Sequence, residues 1–441
     1  MTMTDRVNTD LLVSMLQSAR QRTLELIEGL SAEQLIGPKL PILNPMQWEI
    51  GHVAWFYEHF ILRREYGGAP RLERGDALYD SIAIAHGTRW DLPLYSMAEL
   101  HDYMAAVLEA LIERLEPGKA SERDSYLYQF TIFHEDMHDE AFIWARQTLG
   151  YPTPSLAPDG LRTAHIPVTG TLPGDAAIPG GVLRMGSEPD AAFLFDNEKY
   201  AHDIIVAPYQ MARAAVTNAE FAAFVEDGGY KTRTLWDEDG WAWREREKAT
   251  HPVYWREDAS GGWQLRNFEN WLPLPPDRAV IHVNWYEASA FCRWAGRRLP
   301  SEAEWEFAAT MRPAKPESPD GALVKARYPW GDAAPTAAHA NLDGYALGCV
   351  DVADHPAGDN AWGCRQLIGN VWEWTSDVFS PFAEFAPDDY KEYSEPLFGS
   401  TKVLRGGAWT TRGRLASGLY RNYFGPDRRD VLAGFRTCAK N

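Results

Sequence analysis

The pattern of apolar residues changes near residue 150, which limits the chain to a fold with two differently built parts. Before this point, apolar residues recur at helical spacing. After residue 180, short apolar runs alternate with glycine-rich turns, and most of the 18 tryptophans lie after residue 230. A length of 441 residues suits two or three domains. The sequence therefore predicts an α-helical domain followed by a domain of mixed α and β structure.

Capping residues predict four helices in the first part. Serine, threonine, aspartate and asparagine are favoured at helix N-termini, and proline in the first turn. The predicted openings are Thr9 or Asp10, Asn44 with Pro45, Ser96 and Ser121. Four such helices favour a bundle, and bundle cores often hold metals between facing helices. The connection at residues 67–95 is longer than a simple turn, and loops of that length are often functional.

A stretch rich in proline, glycine and alanine follows the predicted bundle. We therefore expect the bundle over residues 1–155, a linker over 156–178 and the second domain over 179–441. In the second domain, short strands are predicted within residues 181–186, 371–374 and 403–409. Two helices are predicted near residues 218–226 and 285–295.

The overall charge and the cysteines exclude several functional classes. A net charge of -19 argues against a nucleic acid or an anionic membrane as partner. The N-terminus shows no apolar targeting segment, and no apolar run is long enough to span a bilayer. The four cysteines form no close pair, which is typical of a reduced, cytosolic protein. We expect a cytoplasmic protein.

Three histidines predict a metal site. His134 and His138 are four residues apart, so both imidazoles leave one face of the fourth helix. His52, on the second helix, could supply a third nitrogen if the two helices pack together. Three imidazoles would leave positions open for substrates, as in a metalloenzyme. Glu49, about one turn before His52, is the competing ligand and would give a two-histidine, one-carboxylate site.

The remaining histidines of the first part, His59 and His86, have no comparable support and are expected to be structural or surface groups. The spacing of His134 and His138 is by itself also compatible with an ordinary, partly buried helix face.

Five motifs in the second part resemble the formylglycine-generating-enzyme (sulfatase-modifying factor) domain, which has a C-type-lectin-like fold. They are residues 184–186 (RMG), 298–306 (RLPSEAEWE), 369–374 (GNVWEW), 404–409 (LRGGAW) and 434–436 (GFR). The first part resembles a DinB-type four-helix bundle. Together the two parts resemble the ergothioneine-synthase group of non-haem iron sulfoxide synthases.

This resemblance implies a chemistry and a set of ligands. In that group, iron(II) is bound by a histidine of the second bundle helix and an HxxxH pair of the fourth, which correspond to His52, His134 and His138. The substrates would be hercynine (N-trimethylated histidine), molecular oxygen and a sulfur or selenium donor. The copper-binding thiols of true formylglycine-generating enzymes have no counterpart in residues 408–411 (AWTT). The lectin-like half is therefore expected to have lost that chemistry and to form one wall of the cleft.

Three departures from the group concern charged or polar residues near the substrates. The loop at residues 87–93 (GTRWDLP) keeps Arg89, but Leu92 stands where the group has a second arginine for donor carboxylates. Met137 replaces a polar residue beside the metal. In residues 421–424 (RNYF), Phe424 replaces a carboxylate. These losses favour an uncharged donor, and the sequence is most similar to the selenoneine synthase branch, which joins a selenosugar to hercynine.

The resemblance also suggests substrate contacts and one catalytic residue. The expected contacts are Arg89, Met137, Asn422, Tyr423 and Phe424. Tyr423 is the best candidate for the tyrosine that steers the oxygen chemistry in this group, and Tyr390 is a lesser one. By their residue types alone, Arg89 could be a solvated loop arginine, and Met137, Tyr423 and Phe424 could be core residues.

Two other functions remain open from the sequence. The chain could be a conventional ergothioneine synthase that forms a C–S bond with cysteine or γ-glutamylcysteine. It could also be a non-catalytic, lectin-like binding module that kept a vestigial bundle.

Overall fold

The structure is a computed structural model, and it describes residues 8–115, 118, 120–156, 165–314 and 322–440. The chain forms two compact units. The first unit comprises Met1–Ala157 and Asp190–Phe193, and the second comprises Pro158–Pro189 and Leu194–Asn441.

The first unit is helical, as predicted. Its helices, within the described residues, are α1 (Thr9–Ile27), α2 (Ala32–Ile36), α3 (Met46–Tyr57), α4 (Gly75–Tyr79), α5 (Met97–Arg114) and α6 (Glu122–Leu149). The long helices α1, α3, α5 and α6 form a bundle, in which α6 packs on α1 and α3. A π-helical segment, Glu58–Glu65, continues α3.

Two of the predicted helix openings are confirmed. Ser96 and Ser121 each accept a hydrogen bond from the backbone N–H of the third helical residue, and that residue's side chain bonds back to the serine N–H. These capping boxes satisfy N–H groups that a helix start leaves unpaired.

The other two openings are each displaced by one residue. Asn8 caps α1 instead of Thr9 or Asp10, and its side chain accepts from the N–H of Leu11. Pro45, without a side-chain hydrogen bond, occupies the N-cap of α3 instead of Asn44. The Asn44 side chain is bonded to Glu49 and Arg89, so it is not available as a cap.

The long connection between α3 and α5 is structured. It contains α4 and a short 3₁₀-helix, His86–Asp91. Helix α4 packs on α3. At the crossing, a Cβ atom on Gly51 would overlap the ring of Tyr79, so glycine is needed there for the close approach.

The second unit has short strands with helices between them. The helices in the described residues are α7 (Asn218–Glu226), α8 (Glu238–Glu247), α9 (Trp285–Trp294) and α10 (Glu302–Thr310). The strands are β1 (Asp175–Ile178), β2 (Gly181–Met185), β3 (His202–Val206), β4 (Tyr209–Ala212), β5 (Trp255–Glu257), β6 (Trp263–Asn267), β7 (Asn270–Pro273), β8 (Arg297–Arg298), β9 (Met311–Pro313), β10 (Leu323–Lys325), β11 (Trp372–Val378), β12 (Lys402–Arg405), β13 (Arg421–Phe424), β14 (Ala433–Gly434) and β15 (Cys438–Ala439).

Two four-stranded sheets dominate this unit. One has the order β1-β4-β15-β8 and the other β13-β12-β11-β14. In the second sheet, β11 pairs antiparallel with β12, with Trp374 opposite Leu404, and parallel with β14. Smaller sheets are formed by β2 and β3, by β5 to β7, and by β9 and β10.

The predicted strands overlap β2, β11 and β12, and the predicted helices are α7 and α9. Helices α8 and α10 are not among the predicted helices, although both begin at good capping residues, Asp237 and Ser301. Strand β1 forms within the last four residues of the predicted linker, 156–178. Residues 157–164 of that linker lie outside the described residues.

Buried ion pairs connect the sequence motifs of the second unit. Arg405, fully buried, donates to Glu302 and Glu306 at 2.8 Å each. Arg436, also fully buried, binds Glu373 at 2.7 and 2.8 Å. The indole N–H of Trp305 donates to the same carboxylate, which connects α10 with β11. The motifs are therefore brought together by complementary charges in the core.

None of the helices in the described part of the chain combines the length and the apolar character needed to cross a membrane. The cysteines Cys292, Cys349, Cys364 and Cys438 are free and buried.

Arg405→Ala should destabilise the second unit, because it removes the partner that the buried carboxylates of Glu302 and Glu306 share. Arg421 still binds Glu302 and Lys325 still binds Glu306 in the variant, so the cost should lie at the lower end of the about 3–5 kcal/mol typical of a broken buried pair. Urea denaturation followed by tryptophan fluorescence measures the effect. Arg184→Ala is the matched control, because its pair with Glu188 is exposed, and it should leave the midpoint nearly unchanged. Equal midpoints for the two variants would contradict the proposed importance of the buried pair.

Candidate metal centre

The three histidines predicted to bind metal converge within the first unit. His52 lies on α3, and His134 and His138 lie on α6. One donor atom from each lies within 4.8 Å of the others, and the Nε2 atoms of His52 and His134 are 3.3 Å apart. Two nitrogens bound to one ion at about 2.1 Å would be about 3.0–3.4 Å apart. The cluster is therefore able to hold one metal ion.

Aromatic packing brings the two helices together at this point. The ring of Phe56 stacks on His134 with centroids 3.6 Å apart and planes 5° apart. Trp48 stacks on His52 at 4.9 Å and 8°. His52 and His134 are buried, whereas His138 is half-buried. The less buried ring leaves one side of the cluster accessible.

A backbone carbonyl fixes the orientation of His52. Its Nδ1 lies 2.8 Å from the carbonyl oxygen of Tyr79. A carbonyl only accepts, so Nδ1 must hold the proton, and the lone pair of Nε2 is directed at His134. Two such nitrogens facing each other are well suited to a cation, which accepts both lone pairs. Gly51 is important here because it lets the Tyr79 residue approach α3.

Burial keeps the imidazoles of His52 and His134 neutral. It lowers the pKa of His52 well below its usual value, and the neighbouring His138 lowers it further. Burial likewise lowers the pKa of His134, with additional effects from His138 and His52. The neutral form is the one that binds metals, since the lone pair is then free.

The competing ligand, Glu49, has a different position from the one expected. Its Oε2 lies 3.4 Å from Nδ1 of His138, and its Oε1 accepts from Asn44 at 2.7 Å. Glu49 is not part of the converging group of donors. A carboxylate on the second ring nitrogen orients a metal-binding histidine and strengthens it as a ligand. We infer that Glu49 positions His138.

Arg89 is buried within the first unit and is engaged there. It donates to the side-chain oxygen of Asn44 at 2.7 Å and lies over the Trp48 ring at 3.9 Å. It also donates to the carbonyl oxygens of Ser81 and Ile84 at 3.2 and 3.4 Å. The reading as a solvated loop arginine is wrong, because Arg89 is 9% exposed. Met137 lies on α6 directly before His138, and it is half-buried.

The other predicted contacts lie on β13 of the second unit. Tyr423 is buried, stacks on Phe379 with centroids 4.0 Å apart, and donates its hydroxyl to the carbonyl oxygen of Tyr393. Burial raises its pKa well above the usual value. Phe424 and Asn422 are half-buried, and Arg428 lies over the Phe424 ring. The roles of these residues toward substrate stay predictions.

Several residues around the histidines could not be identified from the sequence. Asn44 is recognisable in the sequence, but there it predicts a helix cap. Tyr79 acts through its backbone carbonyl, which has no sequence pattern of its own. In the sequence, Gly51 is recognisable only as a glycine inside a predicted helix. The close approach of another segment is one explanation for such a glycine.

Two family models match the chain. The model for the DinB superfamily matches residues 15–141, and the model for the sulfatase-modifying factor enzyme 1-like domain matches residues 163–441. Together with the helical first unit and the mixed second unit, these matches confirm the predicted fold class.

Individual relatives match over nearly the whole chain. The hercynine oxygenase of Mycolicibacterium thermoresistibile is 38% identical over 96% of this chain and 94% of that protein. The hercynine oxygenase of Mycobacterium tuberculosis is 36% identical over 96% of both. The formylglycine-generating enzyme of Thermomonospora curvata is 31% identical over 60% of this chain and 93% of that protein.

Glu49→Gln should weaken metal binding without abolishing it. The amide has nearly the same shape but removes the negative charge beside His138, and such changes typically cost about 10–100-fold in affinity. Titration with iron(II) or cobalt(II) under anaerobic conditions measures this, with His138→Ala as the comparison. If Glu49→Gln lost as much affinity as His138→Ala, Glu49 would be a ligand rather than a positioning residue.

Proposed function

The chain belongs to the hercynine oxygenase family, in which a DinB-superfamily region precedes a sulfatase-modifying factor enzyme 1-like domain, and from this we propose that it is an oxidoreductase acting on hercynine with molecular oxygen. The observation that supports the chemistry is the convergence of three histidines in the first unit.

In this proposal, His52, His134 and His138 hold one iron(II) ion, each through one ring nitrogen. Three neutral imidazoles leave positions on the ion for substrates. Iron, when bound, supplies electron transfer to oxygen, which zinc does not. The donor set fits because imidazole suits iron, and the His52 and His134 nitrogens are spaced for one ion.

The chain's own residues orient the ligands and keep the site dry. Tyr79 and Glu49 each hold the distal nitrogen of one ligand ring. Phe56 and Trp48 cover two ligand rings and exclude water from them. A rigid, apolar surround limits stray oxidation, which is the contribution that a protein makes to such chemistry.

We further propose that hercynine is bound by residues of β13. Its quaternary ammonium cannot donate a hydrogen bond and is best held by aromatic faces, at about 0.5–2 kcal/mol for each contact. Tyr423 and Phe424 would supply these faces, and Asn422 would supply a polar contact. Tyr423 is also the proposed tyrosine in the oxygen chemistry.

The proposed bond is C–Se, formed between hercynine and the selenol of a selenosugar. A C–H bond of the imidazole and the Se–H bond break, and molecular oxygen takes up the two protons and two electrons that are released. Leu92 and Phe424 replace residues that would bind a charged donor. The contacts of Arg89 support the same choice, because its guanidinium already donates to Asn44 and to two backbone carbonyls. Burying a donor carboxylate without a second arginine would be costly.

The same purified protein tests two alternative functions. A conventional ergothioneine synthase would form a C–S bond with cysteine or γ-glutamylcysteine. A vestigial, non-catalytic module would turn over no donor and would not retain stoichiometric iron. Met137 and Arg89 are both proposed substrate contacts, and of the two Met137 is compatible with either enzyme.

With hercynine, iron(II) and oxygen, a selenosugar should give a higher kcat/KM than γ-glutamylcysteine or cysteine. The reason is the missing second arginine at Leu92. Product formation by each donor, followed by mass spectrometry, provides the measurement, and His134→Ala is the inactive control. A higher kcat/KM for γ-glutamylcysteine would establish the ergothioneine-type reaction instead.

Tyr423→Phe should lower kcat with hercynine at least tenfold while iron content stays unchanged, because it removes only the hydroxyl. The phenyl ring keeps the stacking on Phe379. Steady-state kinetics and iron analysis give the two readouts. Tyr209→Phe is the matched control, because the hydroxyl of this buried tyrosine also donates to a backbone carbonyl, that of Glu304. A Tyr423→Phe enzyme with normal kcat and a lower thermal midpoint would show that Tyr423 is a core residue only.

A further inference from the structure

A second cluster of metal-binding side chains lies within the second unit. His165, Asp354 and His355 each place one donor atom within 4.8 Å of the others. Nε2 of His165 donates to Oδ1 of Asp354 at 2.8 Å, and a metal ion bound there would replace that proton. Nε2 of His355 is 3.7 Å from Oδ2. The two imidazoles stack with centroids 4.3 Å apart and planes 9° apart. The proposed oxidation of hercynine uses none of these residues.

The orientation of His355 leaves a lone pair facing a carboxylate. Its Nδ1 lies 3.0 Å from the carbonyl oxygen of Ala337, so Nδ1 holds the proton. Nε2 of the neutral ring then faces Oδ2 of Asp354 across 3.7 Å, which is too long for a hydrogen bond. A lone pair and a negative oxygen repel each other unless a cation lies between them. A metal ion there would bind both atoms.

Backbone hydrogen bonds fix the Asp354 carboxylate in the cluster. Its Oδ1 accepts from the N–H groups of Val168 and His355 at 2.9 and 2.8 Å. Hydrogen bonds of this kind favour the ionised carboxylate, which is the form that coordinates metals.

The backbone at His355 is in an unusual conformation. Its φ angle is +61°, in the left-handed region that residues other than glycine seldom adopt. This conformation places the imidazole beside Asp354 and His165. Strained backbone of this kind is concentrated at functional sites, where the surrounding structure maintains it.

A cavity gives access to the cluster from one side. Its volume is about 400 Å³, and its lining includes His165, Asp354, His355, Asp351, Arg278 and Tyr345. Three protein ligands beside such a space would leave room for water molecules on the ion. That arrangement is typical of an exchangeable metal site rather than a fully enclosed one.

We propose that the second unit binds one divalent transition-metal ion of the zinc class through His165, Asp354 and His355. Two imidazoles and a carboxylate suit such an ion. The ion would join the segment at residues 165–170, which has no regular secondary structure, to the loop at 351–355. The ligands are 189 residues apart in the chain, so the ion would act as a long-range crosslink.

The experiment uses the full-length protein and zinc alone. The protein is freed of metal with a chelator, incubated with zinc chloride and separated from unbound zinc by gel filtration. Zinc per chain is then measured by mass spectrometry. We expect two ions for the wild-type chain, since both clusters accept zinc, and one for His165→Gln. His134→Ala should also retain one ion, because it removes the other centre.

His251→Gln is the matched control. His251 is a half-buried histidine of the same unit whose Nδ1 is bonded to the carbonyl oxygen of Pro252. This variant should retain two ions. Equal zinc contents in the wild-type chain and His165→Gln would overturn the proposal. A single ion that is lost in His134→Ala would overturn it too, while leaving the first centre intact. A single ion lost only in His165→Gln would support the second site and contradict the first.

A second measurement does not require any substitution in the second unit. Zinc bound to a chain that carries both His134→Ala and His138→Ala, and so keeps one imidazole of the first cluster, is studied by X-ray absorption spectroscopy, which counts imidazole ligands. We expect two imidazole nitrogens at about 2.0–2.1 Å. A zinc ion surrounded by oxygen atoms alone, or no retained zinc, would overturn the proposal.

Discussion

Each buried charged side chain must be paired with an opposite charge. This requirement determines how the helices and strands pack within each unit. An unpaired buried charge costs several kcal/mol, so each such residue limits the positions of its neighbours. In the second unit, Arg405 joins β12 to α10 through Glu302 and Glu306. Arg436, between β14 and β15, joins that segment to β11 through Glu373. These five residues belong to the motifs by which the domain is recognised. The sequence motifs of this domain are therefore needed for folding more than for catalysis.

The same constraint positions the candidate metal centre in the first unit. Glu135, next to His134, accepts hydrogen bonds from Arg20 and Thr23 of α1, and Asp139 accepts from Thr23 as well. These carboxylates are buried, so the face of α6 that they occupy must contact α1. The adjacent face, with His134 and His138, is thereby directed at α3. The histidines are thus held in place by contacts within the protein, as in a preorganised site.

The two candidate metal sites differ in how they are built. The first uses one helix for two ligands, and its second ring nitrogens are bonded to a carbonyl and a carboxylate. The second uses adjacent residues, Asp354 and His355, together with His165 from a distant segment. A regular helix makes the first site recognisable from spacing. The second site depends on the left-handed backbone conformation of His355 in a loop, and the local sequence does not predict that conformation.

From the sequence alone, regular features could be determined: the HxxxH pair, the histidine of a second helix, the helix openings at Ser96 and Ser121, and the motifs of the second domain. Each depends on local periodicity or on contiguous residues. Only the tertiary structure decided that Glu49 bonds to His138, that the Tyr79 carbonyl orients His52, that Arg89 is buried against Trp48, and that His165 meets His355. The physical reason is that these contacts join distant segments or backbone atoms, and neither leaves a periodic pattern in the sequence.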